Sequence, residues 1–243
     1  MFKNKKARQI LIICFWLVFW QICSMLLHNT LVLVGPLEVL RSLARLLPTG
    51  GFWLSILIST TKIALGFLSA FLLGILLGCL SFRFQWLREL LAPVFLLLKS
   101  VPVASFVILA LIVIGSRGLS VLISFLIVLP VIYTGTLTGL SAADSKLLEM
   151  AFVFRIPFFK RARYLYLPPL KAQLINGCKV ALGMSWKSGI AAEVIGVPAI
   201  SIGEKLYMAK IYLNTADLFA WTIVILILSA LFEWFFLKLL KQL

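Results

Sequence analysis

Charge is scarce in this chain, and acid is scarcer still. Of 243 residues only 13% are charged, with 8 Asp+Glu against 23 Lys+Arg, while 63% are hydrophobic. A soluble domain is about half apolar and about a quarter charged. The balance excludes an ordinary soluble enzyme and a disordered chain, and leaves an integral membrane protein. There is one histidine, His28, and four cysteines, Cys14, Cys23, Cys79 and Cys178. The cysteines form no CxxC pair and have no His at ligand spacing, so they read as small membrane hydrophobes and not as a zinc site or disulfide framework. His28 follows the first apolar run and reads as an interfacial residue. No GxxxxGK[ST] phosphate loop is present, so this chain is not expected to hydrolyse ATP itself. No HExxH, paired intramembrane Asp or Ser/His arrangement occurs, which ranks a membrane-embedded enzyme last. Strand-type alternation is missing too, which argues against a β-barrel.

What the chain does have is long apolar runs. The first, Ile10 to Leu27, follows a basic Met1–Arg8 segment. It is long for a signal-peptide core and lacks a small-x-small cleavage site, so it is read as an uncleaved span. Further runs cover about Leu54–Leu80, Leu90–Ile114 with Pro93 and Pro102 inside, Leu119–Leu140 with Pro130 inside, Leu174–Val194 and Leu218–Leu237. Six spans of about 20 residues use about half the chain and leave loops too short for a second globular domain. The net charge of +15 is explained by topology, not by nucleic acid, since basic residues sit between apolar runs. With the N-terminus inside, most of them fall in cytoplasmic segments, above all Lys146, Arg155, Lys160, Arg161, Arg163 and Lys171. The outer segments then hold only Arg41, Arg45, Arg117, Lys205 and Lys210. This bias predicts both termini in the cytoplasm. The stretch Leu37–Leu43 looks amphipathic and suggests a short interfacial helix in the first outer loop.

Three constellations stand out. Gly66, Ala70, Gly74 and Gly78 recur every four residues, so they form a small-residue stripe on which a neighbouring helix can pack closely. In the fifth run, Lys179, Trp186 and Glu193 are seven apart and share one face, with Lys187 about 100° away from Trp186. Ionisable groups at membrane depth usually face a bundle interior or water. A polar pathway lined by Lys62, Pro102, Lys179, Trp186, Lys187 and Glu193 is one reading. Lysine and glutamate snorkelling from opposite ends is the other. The third constellation is the segment Ser141–Ala172, too polar to span. A helical stretch, Lys146–Phe154, is broken at Pro157. A second, Phe159–Leu167, is expected to stop at Pro168-Pro169. Phe152, Phe154, Phe158 and Phe159 are left at the membrane surface. They call for a partner surface, unless the segment is simply a basic interfacial loop.

This segment resembles the coupling motif of ABC-importer permeases: Glu-Ala-Ala, three residues, Gly, nine residues, Ile-x-Leu-Pro. Here Glu149, Met150 and Ala151 take the triplet, Leu165 the Ile place, and Leu167-Pro168 the close. Met150 replaces an Ala, and Arg155 replaces the Gly that permits the turn, with Pro157 nearby to supply a break. Val101-Pro102 is similar to the family's Pro-containing third helix. Ala181–Trp186 followed by Ala191-Ala192-Glu193 resembles the fifth helix of the nitrate/sulfonate/taurine branch.

The resemblance implies an all-α integral membrane protein. It would have six transmembrane helices, a cytoplasmic coupling helix and both termini inside. Residues 1–243 would make one transmembrane domain, with 1–53 as first span and outer loop and 54–237 as the core, including the coupling segment 144–168. It implies a permease subunit in the bacterial inner membrane, paired with a second copy, most simply as a homodimer. A cytoplasmic ABC ATPase dimer carrying ATP and Mg would grip Glu149–Pro168, and an extracytoplasmic binding protein would deliver solute. No cofactor is expected in this chain. The branch implies a small organic anion such as a sulfonate, with nitrate or a pyrimidine vitamin precursor as alternatives. The competing class is an ion-coupled secondary transporter or channel using Glu193 and the intramembrane lysines.

Overall fold

The structure is a computed structural model, and it describes residues 5–27 and 33–242. His28 lies outside them. Among the described residues the regular secondary structure is all helix, with no strand. The helices are α1 (Lys5–Leu27), α2 (Pro36–Leu46), α3 (Gly50–Arg83), α4 (Gln85–Ser100), α5 (Val103–Ile114) and α6 (Leu119–Ser141). They continue with α7 (Ser145–Val153), α8 (Phe158–Arg161), α9 (Leu167–Gly196), α10 (Ile202–Ile211) and α11 (Thr215–Gln242). Among the described residues, α3, α6 and α11 are each long and apolar enough to cross a bilayer alone, and α4 with α5 forms one bent pair.

Helix α6 is the centre of the bundle, with α3 on one side and α9 on the other. Small residues make both seams. A Cβ on Gly74 would stand 2.9 Å from Cβ of Ile132, and one on Gly78 would stand 2.6 Å from Cβ of Thr136. Gly66 meets the Val121 carbonyl and Ser124, and Ala70 is fully buried in the same core. The predicted stripe therefore faces α6. On the other seam, a Cβ on Gly139 would come 2.7 Å from Leu170 Cα. Close backbone approach substitutes dispersion contacts for the hydrophobic drive that lipid does not supply. A cluster of aromatic rings from α3 and α11, Phe67, Phe71, Phe232 and Phe236, fills the space beside this seam.

Two expectations are corrected. The run Leu90–Ile114 is not one straight helix. It breaks between Ser100 and Val103, and the two halves meet at 103°. Pro102, the N-cap residue of α5, supplies the reason, because proline disfavours helix in the residue before it. Pro93 lies within α4 without ending it. The second correction concerns Pro168-Pro169. They do not stop a helix but occupy the first turn of α9, where a missing N–H costs nothing. A five-residue π-helical stretch, Ala162–Tyr166, joins α8 to α9.

One end of the bundle is tied by α2, which has the expected amphipathic form. Val39 and Ser42 are its buried positions, and Val39 packs with Val34 and Ala220 of α11. The Ser42 hydroxyl donates to Asp217 Oδ1, and Arg45 Nη2 donates to the same oxygen at 2.6 Å. Asn214 Nδ2 donates to Asp217 Oδ2 at 2.7 Å. At the opposite end Lys171 Nζ donates to the Lys241 carbonyl at 2.8 Å, joining the starts of α9 and the close of α11.

Candidate functional site

The coupling-motif segment stands off the bundle. Asp144 caps α7, its side chain accepting from Lys146 N–H at 2.8 Å. Such a cap satisfies one of the four orphan amides of a helix start. Ala151 is the one buried residue of α7. Around it Phe152, Phe154, Phe158 and Phe159 are 66% to 84% exposed. Glu149, Met150, Arg155, Pro157, Leu167 and Pro168 are exposed as well, and Leu165 is half-buried. Large apolar side chains exposed in this number are the mark of an interaction surface.

The turn after α7 explains the odd motif residue. Ile156 N–H donates to the Ala151 carbonyl at 2.9 Å, and Arg155 N–H to the Phe152 carbonyl at 3.0 Å. These are the two bonds of a Schellman motif, whose residue after the cap is left-handed and usually glycine. Arg155 takes that place with φ of 52°. The turn geometry is thus retained with an arginine where the family motif has Gly. Pro157 follows as the N-cap residue of α8.

The predicted pathway residues separate into two groups. Trp186 and Glu193 are buried inside the subunit, whereas Lys179 and Lys187 are exposed. Trp186 packs with Phe52, Ile63, Ile202 and Trp221, and its ring meets Phe232 edge-on at 6.2 Å. Lys179 and Lys187 share an open stripe with Asn176, Gly183 and Ala191, and nothing lies within 4 Å of where a Gly183 Cβ would be. Lys62 is half-buried on α3 and close enough to act electrostatically on Glu193. Pro102 is exposed at the α4–α5 bend.

Glu193 is the hub of a buried network. The Ser59 hydroxyl donates to Glu193 Oε2 at 2.7 Å, and Gly203 N–H donates to the same oxygen at 3.2 Å. Ile202 N–H donates in turn to Ser59 Oγ at 2.9 Å. The Ser120 hydroxyl of α6 lies beside the carboxylate. A carboxylate at a helix N-terminus meets the positive end of the macrodipole, here the first turn of α10. The connection it holds is strained, since Val197 and Ile200 are β-branched yet have φ of 43° and 56°. Local bonds restrain the turn. Ser201 Oγ donates to the Pro198 carbonyl at 2.8 Å, and Ile200 N–H donates to Glu204 Oε2 at 2.8 Å. Sequence reasoning named Glu193 but missed Ser59, Ser201 and Gly203. The signal available was the extension of the buried α3 stripe back through Ser59 and Ser55.

Two surfaces are therefore presented outside the core: an aromatic knob on a capped short helix, and a polar, lysine-bearing stripe along α9. Residues 70–241 match the profile of the family described as binding-protein-dependent transport system inner membrane component. The chain belongs to that family. The match runs from within α3 to the end of α11 and includes the whole coupling-motif segment.

Individual relatives agree. The chain is 26% identical over 222 residues to SsuC of Bacillus subtilis, an aliphatic sulfonates transport permease protein, covering 90% of this chain and 80% of SsuC. It is 25% identical over 222 residues to TauC of Escherichia coli, a taurine transport system permease protein, covering 89% and 80%. It is 27% identical over 201 residues to CmpB of Synechococcus elongatus, a bicarbonate transport system permease protein, covering 77% and 71%. These relatives are permeases of the kind that the coupling and fifth-helix motifs resemble. Permeases of this kind are transport components of the inner membrane and not catalytic subunits.

Proposed function

We propose that this permease forms the translocation pathway of an ATP-driven importer for a small organic anion such as a sulfonate, working by alternating access. The observation that carries the reading is the exposed phenylalanine knob on α7 and α8. It is capped, folded and almost without packing of its own. On this reading the knob is gripped by a cytoplasmic ABC ATPase dimer, which binds ATP and Mg, and Glu149–Pro168 passes its closure to α6 and α9. The chain carries no phosphate loop, in keeping with an external motor. A partner can shift an equilibrium between two states only by its differential affinity for them, and the knob is where that difference would be made.

The rest of the assembly follows the same reading. Residues 1–243 act as one transmembrane domain of six spans, with α1, α3, the α4–α5 pair, α6, α9 and α11 as the crossings and both termini in the cytoplasm. A second copy completes the pathway as a homodimer, and a binding protein delivers solute on the side of α2 and α10. The stripe Asn176–Lys179–Gly183–Lys187 faces the pathway, because a lysine at membrane depth is costly against lipid. Two cationic side chains there suit an anion. The relatives named for sulfonates, taurine and bicarbonate all concern anionic or zwitterionic solutes.

The test is reconstitution with the neighbouring ATPase and binding protein. Replacing Phe152 and Phe154 with Asp should abolish uptake and ATPase co-purification while membrane insertion stays intact. Uptake of normal rate by that variant would sink the coupling assignment. A thermal-shift screen of the binding protein with sulfonates, nitrate and a pyrimidine precursor decides the substrate.

A further inference from the structure

We propose that Ser120 is a positioning residue for transport: its hydroxyl donates to Glu193 Oε1 in one access state of the permease and is parted from it in the other. The proposal rests on the alternating-access reading above. In the structure both groups stand alone. Ser120 is 1% exposed and Glu193 0%, and neither Ser120 Oγ nor Glu193 Oε1 has a hydrogen-bond partner. Yet the hydroxyl lies beside the carboxylate, whose other oxygen, Oε2, accepts two bonds. Lys62 acts on the carboxylate electrostatically but forms no ion pair with it among the described residues. Buried polar groups without partners are uncommon and costly. Neither of these two reaches solvent, so the nearest remedy for each is the other.

A small shift of α6 against α9 would join them. The two helices touch closely here. A Cβ on Gly196 would stand 2.6 Å from Leu119 Cδ2, and one on Gly189 would stand 2.7 Å from Ser124 Oγ. Ser124, one turn on from Ser120, already donates to the Ser185 carbonyl of α9 at 3.3 Å, a long bond. Packed helices move past one another by about 1–2 Å in switching transitions, enough to make or break one hydrogen bond. Helix α6 is also the element that the phenylalanine knob would move. It runs from Leu119 to Ser141, about 35 Å by its rise per residue, and α7 begins at Ser145. Pro130 lies within α6 without ending it. Ser120 therefore sits at one end of a rod whose other end carries the coupling segment.

What Ser120 positions, through Glu193, is α10. Glu193 Oε2 holds Gly203 N–H at 3.2 Å, and Ser59, bonded to the same oxygen, holds Ile202 N–H at 2.9 Å. A Cβ on Gly203 would stand 2.2 Å from Glu193 Cβ, so α10 starts directly against this residue and cannot shift without it. The link from α9 to α10 carries two left-handed, β-branched residues, Val197 and Ile200. Strain of that kind persists only while its surroundings hold it. A hydroxyl donating to Oε1 takes up part of the charge that Oε2 offers to Ser59 and Gly203, and so loosens the grip on α10. Movement of α6 at the coupling segment thus changes how firmly α10 is held at the far end. Coupling over distance requires a two-state element of this sort, biased from both sides.

The test uses the permease reconstituted with its ATPase and binding protein. Ser120→Ala should lower uptake about tenfold, the factor by which one hydrogen bond to a carboxylate, made in only one state, shifts an equilibrium. Melting should be compared in the nucleotide-free and vanadate-trapped states. Ser120→Ala should lower the melting temperature in one of them and leave the other unchanged, whereas a residue with a packing role alone would shift both equally. On the unaltered protein, structures of the two states should place Ser120 Oγ within about 3 Å of Glu193 Oε1 in one and beyond bonding distance in the other. That comparison keeps the test valid if the variant misfolds. Normal uptake by Ser120→Ala, equal thermal shifts, or a Ser120–Glu193 distance that stays the same would each overturn the proposal. F152D/F154D, run alongside, separates the two readings. If it loses uptake while Ser120→Ala does not, only the role of Ser120 falls. If it transports normally, the coupling reading falls and the role of Ser120 with it.

Discussion

Ser59 and Glu193 lie 134 residues apart in sequence and are joined by a 2.7 Å hydrogen bond in the bundle interior. Because Ser59 also accepts from Ile202 N–H, the pair fastens three elements, α3, α9 and the first turn of α10. Removing the carboxylate strands the Ser59 hydroxyl and the Gly203 amide together. Leaving a buried donor unpaired costs about 1–3 kcal/mol. Glu193→Ala should therefore lower stability by about 2–4 kcal/mol, Ser59→Ala by about 1–2 kcal/mol, and the double variant by less than their sum. Thermal unfolding of the four proteins in detergent gives the coupling. Strict additivity would mean that the two side chains do not act as a pair.

The glycines give a sharper contrast within one chain. A methyl on Gly74 meets Ile132 at 2.9 Å, while a methyl on Gly183 meets nothing within 4 Å. Overpacking of a close seam costs about 1–3 kcal/mol. In an open helix position Gly→Ala is favourable by up to about 1 kcal/mol. Gly74→Ala should thus lower the melting temperature and Gly183→Ala should raise it or leave it unchanged. A fall of similar size in both would show that helix backbone effects, not the α3–α6 seam, set the response.

Helix periodicity made part of this architecture legible. The stripe Gly66–Gly78 on α3 and the amphipathic pattern of α2 are local signals, and both elements use the faces that their spacing marks. Heptad spacing was less reliable on α9. A straight helix drifts about 20° per heptad, so Lys179 and Glu193, two heptads apart, are about 40° from alignment. That drift contributes to Lys179 lying in the open while Trp186 and Glu193 are enclosed. Proline was read as a stop at Pro168-Pro169, where it begins a helix, and as tolerated at Pro102, where the chain bends sharply. The Ser59–Glu193–Gly203 network was hidden because no local pattern links residues so far apart. Nor does any spacing rule reveal that Val197 and Ile200 adopt left-handed backbone.

Asp217 should matter more than the arginine it binds. Arg45 is 65% exposed at the side chain and Asp217 is 22% exposed, so their ion pair is largely solvated. Such pairs contribute at most about 1 kcal/mol. Ser42, by contrast, is 4% exposed and depends on the same carboxylate. Asp217→Ala is expected to loosen α2 from α11, with a loss of about 2 kcal/mol, whereas Arg45→Ala should cost under 1 kcal/mol. Hydrogen exchange of the α2 amides, compared across the two variants, measures this directly. Equal protection in both would assign the docking of α2 to its apolar face alone.

Arg155 offers a test in which a variant should gain stability. Its φ of 52° lies where an L-residue is penalised by about 1–2 kcal/mol, and glycine is not. Glycine gives back about 0.5–1 kcal/mol through the freedom it has in the unfolded chain. The difference leaves Arg155→Gly more stable by up to about 1.5 kcal/mol. Arg155→Val should be less stable than the parent, because a branched Cβ is worst in that region. The Schellman bonds from Arg155 and Ile156 set the angle at which Phe152 and Phe154 project, so glycine should preserve coupled ATPase activity while valine reduces it. Thermal shift and ATPase assays on the assembled transporter read both arms. A glycine variant destabilised as much as the valine variant would mean that the arginine side chain, and not its backbone conformation, decides the turn.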